Sequence, residues 1–165
     1  MKTVAAFATQ DPARLGAVQA DLSGFAASLI KTPPVPDADR SYKALLLGLA
    51  DVLGFTMPAD AKAAAVSLES QMWDGARPGP GNMRTIHELA GVPERRGEAV
   101  LMITGAIHTY GLKDLAPDVT IAFVTLLTDI REPAAARALA LEAMAEYVPP
   151  PLPPPPPPAP PAAAR

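Results

Sequence analysis

The chain has 165 residues, a formal net charge of -3, no cysteine and 21 prolines. Lack of cysteine excludes a disulfide framework, a thiol nucleophile and a cysteine-ligated metal. A mildly acidic balance excludes a global attraction to nucleic acid or to anionic membrane.

Before the proline-rich C-terminus lie about 148 residues, enough for one ordinary domain with a single core. Much of the apolar content is alanine, and aromatic residues make up only 5% of the chain. Alanine favours helix but buries little area, so a thin helical core is expected, stabilised in part by pairing with another surface. The apolar run at 4–8 is shorter than a secretory signal requires. No stretch approaches the roughly 20 apolar residues of a membrane span. These features predict no signal peptide or transmembrane segment, and a protein that is cytoplasmic or part of a particle.

In chain order, Asp11-Pro12 opens a first helix. Leu15, Val18, Leu22, Phe25 and Leu29 recur at spacings of three and four and form one apolar stripe. That stripe is the first candidate for a helix-mediated contact; ordinary core packing is its alternative. Prolines at 33, 34 and 36 end the helix. A second helix is predicted over 37–53, with Tyr42, Leu45, Leu46, Leu49, Val52 and Leu53 on a broad apolar face and Gly54 as its stop. A third starts at Pro58, turns Ala61, Ala65, Leu68 and Met72 inward, and ends before Gly75. The segment 75–81 contains three glycines and two prolines and reads as an irregular break between two halves.

Asn82 is placed to cap a short helix over 83–90, closed by Gly91. Pro93 starts a longer helix that reaches Tyr110, buries Val100, Leu101 and Ile107, and stops at Gly111. Pro117 starts another. Its β-branched residues also fit a strand over 119–127, but no partner strand exists, so helix is preferred. Pro133 starts the last helix, with Leu141, Met144 and Val148 on one side. The fold class is therefore all-α: a compact bundle of six or seven short helices over 1–148, then an extended tail over 149–165. Leu45-Leu46-Leu47-Gly48 before Gly54-Phe55 echoes Met102-Ile103-Thr104-Gly105 before Gly111-Leu112. Two related helical hairpins and a shared grammar of helix stops both explain that echo.

Motifs for chemistry fail on inspection. His87-Glu88 lacks a second histidine four residues after the first, where Gly91 stands. His108 is a lone histidine, expected at a helix end or surface. The glycines before Asn82 follow a helix and precede no lysine-serine or lysine-threonine pair, which excludes a phosphate loop. There is no nucleophile elbow. Carboxylates such as Asp51, Asp60, Glu69 and Asp74 are scattered as on a solvated face. No cofactor or metal is called for, and a non-enzymatic protein is expected.

The stretch Thr85-Ile86-His87-Glu88-Leu89-Ala90-Gly91-Val92-Pro93-Glu94-Arg95-Arg96 resembles the first helix and turn of helix-turn-helix repressors. In that family a helix ends in Ala-Gly-Val and a polar-led recognition helix enters the major groove. The resemblance covers about 20 residues and implies nucleic-acid binding. Two positions depart from the pattern: His87 replaces the small residue that lets the helices approach, and Gly97 replaces an apolar anchor. The same region carries Arg77, Arg84, Arg95 and Arg96, a candidate phosphate-contacting patch or a merely solvated one.

Eleven of the prolines lie within residues 149–161, where Leu152 is the only large side chain. Proline fixes the backbone near polyproline II and offers no amide donor. A run of that kind is a docking segment for aromatic grooves, a semi-rigid spacer, or drift in a GC-rich gene. The leading expectation is a structural or interaction protein, a subunit or adaptor of a larger, self-assembling, coat-like complex. Its partner is another protein or a second copy. Nucleic-acid binding through the arginines of 77–96 is the alternative.

Overall fold

The computed structural model describes residues 37–55, 57–63 and 73–146, with Ser23, Gly24 and Ala27 as isolated positions. The stripe Leu15, Val18, Leu22, Phe25 and Leu29, the residues Ala65, Leu68, Met72 and Val148, and the tail with Leu152 lie outside the described residues. Those that are described are mostly helical, and no strand occurs among them.

Helix α1 spans Asp37–Val52. Ala44, Leu45, Leu46, Leu47, Leu49 and Ala50 are all buried. Successive helix positions point about 100° apart, so this run covers more than half of the circumference and α1 is enclosed by neighbours. Its end is a left-handed glycine cap. Gly54 has φ 75°, its N–H donates to the Asp51 carbonyl at 3.0 Å, and the Phe55 N–H donates to the Ala50 carbonyl at 3.0 Å. The next helix begins as its proline predicts: the Lys62 N–H donates to the Pro58 carbonyl at 3.0 Å, residues 59–63 are helical, and Ala61 is buried.

Helix α2 spans Pro80–Ala90. It starts ahead of the position expected from Asn82. Pro80 occupies the first helical position, with φ preset and no donor to satisfy, so no capping side chain is needed. The Gly79 carbonyl accepts from the Asn82 N–H at 2.9 Å and the Met83 N–H at 3.1 Å. Ile86, Leu89 and Ala90 form the buried side.

The helix expected from Pro93 is divided. Pro93–Arg95 form a 3-10 turn, and helix α3 spans Arg96–Tyr110. Arg95, at φ -108° and ψ 4°, leaves helical geometry and separates the two. Only Ala99 and Ile103 of α3 are buried. Leu101, expected inside, is 72% exposed; Val100 and Ile107 are half-buried against the core. The apolar residues of α3 encircle it, so hydrophobicity alone selects no face.

A second 3-10 turn, Leu112–Asp114, leads to helix α4, Pro117–Asp129. The β-branched stretch is helical, and Val119, Thr120, Phe123, Val124, Leu126 and Leu127 are buried. Helix α5, Pro133–Glu146, follows after three residues. Its inward side is mainly alanine, with Ala136, Leu139, Ala140, Ala143 and Met144 buried; Leu141 is only half-buried. So short a link makes α4 and α5 antiparallel neighbours. Helix α4 is the hub, packing on α1, α5 and α2, while α2 and α3 pair with each other.

The irregular break ahead of α2 is fastened to this hub. Ala76 and Leu115 form an isolated parallel bridge. The Ala76 N–H donates to the Asp114 carbonyl at 2.7 Å, and the Ala116 N–H to the Ala76 carbonyl at 3.0 Å. Gly75 has φ 140°, and a Cβ there would stand 2.6 Å from the Ala116 backbone nitrogen. Glycine is required for two backbones to approach so closely.

Candidate interaction surface

The arginines singled out in the sequence surround the α2–α3 pair, and carboxylates neutralise three of them. Arg77 forks onto Asp118 at the first turn of α4, with Nη2 donating to Oδ1 at 2.9 Å and Nη1 to Oδ2. It also donates to the Trp73 carbonyl at 2.9 Å. The hydrogen bond to Asp118 raises the Arg77 pKa further above its ordinary value. On α2, Arg84 Nε donates to Glu88 Oε1 at 2.8 Å, one helical turn away. Arg95 grips Glu98 with two bonds, at 2.9 and 2.7 Å. That contact raises the Arg95 pKa and holds the Glu98 carboxyl below the usual glutamate range. Arg96 is half-buried, and its Nε finds no hydrogen-bond partner among the described residues.

Two of these carboxylates were missed by reading charge within 76–97. Glu98 stands just beyond that window, three positions after Arg95, and its pairing is a local helical contact. Asp118 is 41 positions from Arg77; only the folding of the break onto α4 brings it near.

His87 and His108 are exposed in the last turns of α2 and α3, where a cation is favoured by the helix dipole. Among the described residues no cluster of three or more histidine or acidic side chains is placed to hold a metal. No described helix is long and apolar enough to cross a membrane.

Among the described residues, the large apolar side chains most open to water lie on α3 and in the turn before it. Val92 is 40% exposed in the turn, and Leu101 stands outward from α3. Next to it runs a groove of about 210 Å³, walled by Pro78 and Ile86 on one side and Met102 and Tyr110 on the other, with Asn82 at its rim. Gly105 forms part of its wall. Among the described residues, no neighbouring atom lies within 4 Å of where a Gly105 Cβ would be. Among the described residues, no charged one lines this groove.

The face combines a large outward apolar side chain, a groove with no described charged lining residue, and three flanking arginines held in ion pairs. Arg77 lies before the start of α2, Arg84 on it, and Arg95 and Arg96 beyond its end; the N-terminal stripe and Leu152 lie outside the described residues. The chain matches no family model, no curated protein and no solved structure.

Proposed function

We propose that this chain is a non-catalytic interaction protein, a subunit or adaptor that takes part in a larger, self-assembling complex. The observation that carries the reading is Leu101, 72% exposed on a helix packed against only part of the domain. A leucine left in water gives up roughly 1.5–3 kcal/mol of burial, and a second subunit laid against α3 recovers it. The alanine-rich inward side of α5 agrees, because a core with little area per residue gains from association. The proline-rich tail serves as a spacer or docking segment. The paired state of Arg77, Arg84 and Arg95 weighs against nucleic acid, since a phosphate contact there must compete with a carboxylate already in place.

Sedimentation of the full chain, with and without nuclease treatment, tests the reading. A discrete oligomer free of nucleic acid supports it. Leu101→Asp is then expected to give a folded helical monomer, because the side chain already faces water within one chain. Wild-type protein that stays monomeric at high concentration overturns the assembly. Co-purifying RNA or DNA, lost when Arg84, Arg95 and Arg96 are changed to glutamine, transfers the case to nucleic-acid binding.

A further inference from the structure

The groove between α2 and α3 matches the proline-rich tail in chemistry, and α5, which leads into that tail, contacts the turn that follows Tyr110. We propose that residues 149–161 of this chain dock into that groove within the same molecule, with Leu152 seated against Gly105.

Chemistry is the first argument. A proline run offers carbonyl acceptors and apolar rings, with no amide donor and no charge. Its docking site needs an aromatic wall, apolar walls and side-chain donors. The groove has Tyr110 as its ring, Pro78, Ile86 and Met102 as apolar walls, and no charged lining residue among those described. Its donors are the Asn82 amide and the Tyr110 hydroxyl. The open space above Gly105 admits a branched side chain, and Leu152 is the only large side chain in the run. The fold already uses this device once: Gly48 of α1 leaves the room that Ile121 of α4 fills.

Position is the second argument. The short link makes α5 run back along α4, so its C-terminal end returns toward the beginning of α4. Contacts between α5 and the Leu112–Asp114 turn agree with that course. This turn follows Tyr110, a lining residue of the groove, by two residues, so α5 packs beside the segment that leaves the Tyr110 end. From Glu146 to Leu152 an extended chain reaches about 19 Å at 3.1 Å per residue. From Tyr110 to Gly105 along α3 is about 8 Å at 1.5 Å per residue. The difference, about 11 Å, is left to span the step from Glu146 to Tyr110. Tethering also gives the chain's own tail a concentration advantage over any free copy. The inference goes beyond the assembly reading and does not depend on it.

The test is methyl NMR on the full chain, with labelled leucine and methionine. Cross-peaks from Leu152 to the Met102 methyl and the Tyr110 ring are expected. Gly105→Gln, which fills the seat without crowding the fold, should remove them. Leu152→Asp should shift the Met102 and Tyr110 signals while leaving those of Phe123 and Met144 in place. Absence of the cross-peaks overturns the proposal, as does their survival in Gly105→Gln. Met102 and Tyr110 cross-peaks to Phe25 in their stead identify the N-terminal stripe as the occupant. In a mixed sample, one copy carries labelled leucine and the other labelled methionine. Leu152–Met102 cross-peaks between such copies make the occupant a second chain and overturn the intramolecular docking, whatever the oligomeric state proves to be.

Discussion

Arg77 and Asp118 form a forked ion pair across 41 positions of sequence, and it locks the loop ahead of α2 onto the first turn of α4. The pair is about one-third exposed on each side, so water screens it and it sits at the upper end of surface pairs, about 1 kcal/mol. Asp118 also favours the α4 N-terminus through the helix dipole. Asp118→Ala is expected to lower stability by about 1–2 kcal/mol, read as a shift in the urea midpoint. The amides of Ala76 and Ala116, which form the adjoining bridge, should exchange faster. A double-mutant cycle of Arg77→Gln with Asp118→Asn should return a coupling energy; zero coupling would show that the backbone bridge alone fastens the loop.

Thr120 is fully buried, and its hydroxyl has no hydrogen-bond partner among the described residues. The Ala116 carbonyl, one turn earlier, already accepts from the Val119 and Thr120 amides at 3.0 and 3.2 Å. By contrast, the Thr125 and Thr128 hydroxyls reach the carbonyls four residues back. An unsatisfied buried hydroxyl costs about 1–3 kcal/mol. Thr120→Val keeps the shape and removes the orphan group, and should raise the melting temperature by a few degrees. Thr120→Ala removes the same hydroxyl but leaves a void, so it should gain less or lose. A fall in stability for Thr120→Val would mean that the hydroxyl has a partner, such as buried water.

The helices of this protein were legible because prolines announce them. Pro93, Pro117 and Pro133 each open a helical segment where one was read, whereas Pro80, read as part of the irregular break, opens α2 in place of an Asn82 cap. Gly54 announced the end of α1. The end of α4 was illegible for the converse reason. There Arg131 takes the left-handed conformation, φ 67°, and Glu132 donates to the Leu127 carbonyl at 2.8 Å. That is the same cap without its glycine, so no residue type betrays it. The orientation of Leu101 was hidden because apolar residues surround α3 and periodicity singles out no face. The arginines were found as a set, but their neutralisation depends on Asp118, whose contact is made only by tertiary folding. The groove was equally hidden: Gly105 was visible as a helix-interior glycine, and its empty surroundings follow from where α2 lies.

The Arg95–Glu98 pair gives a pH-dependent expectation. Its hydrogen bonds hold the Glu98 carboxyl below the usual glutamate range. A depressed folded-state pKa means that the contribution to stability is present above the ordinary glutamate value. It is lost as pH falls through the lower, folded value. Both groups are exposed, so the effect on global unfolding should be small. The direct measurement is a carboxyl titration by NMR. Glu98 should titrate below an unpaired glutamate, and Arg95→Gln should bring it back up. An unchanged midpoint in Arg95→Gln would assign the depression to the N-terminal dipole of α3 instead.

Gly48 and Gly105 occupy matching places in the internal sequence echo, yet their surroundings differ, and substitutions to alanine should have opposite signs. A Cβ at Gly48 would stand 2.9 Å from Ile121 Cγ1 and overlap the end of that side chain. Helix α1 and helix α4 cross there, so the intruding methyl must displace Ile121 from a packed contact. Overpacking of this kind costs about 1–3 kcal/mol, more than the roughly 0.5–1 kcal/mol that alanine gains over glycine inside a helix. At Gly105 the space is open, so only the helical gain remains. Gly48→Ala should therefore lower the denaturation midpoint, and Gly105→Ala should raise it. Adding Ile121→Ala to Gly48→Ala should cost less than Ile121→Ala costs alone, because the new methyl fills part of the vacated room. Equal and additive effects at the two glycines would mean that α1 and α4 do not meet closely at Gly48, and the hub position assigned to α4 would fall with that contact.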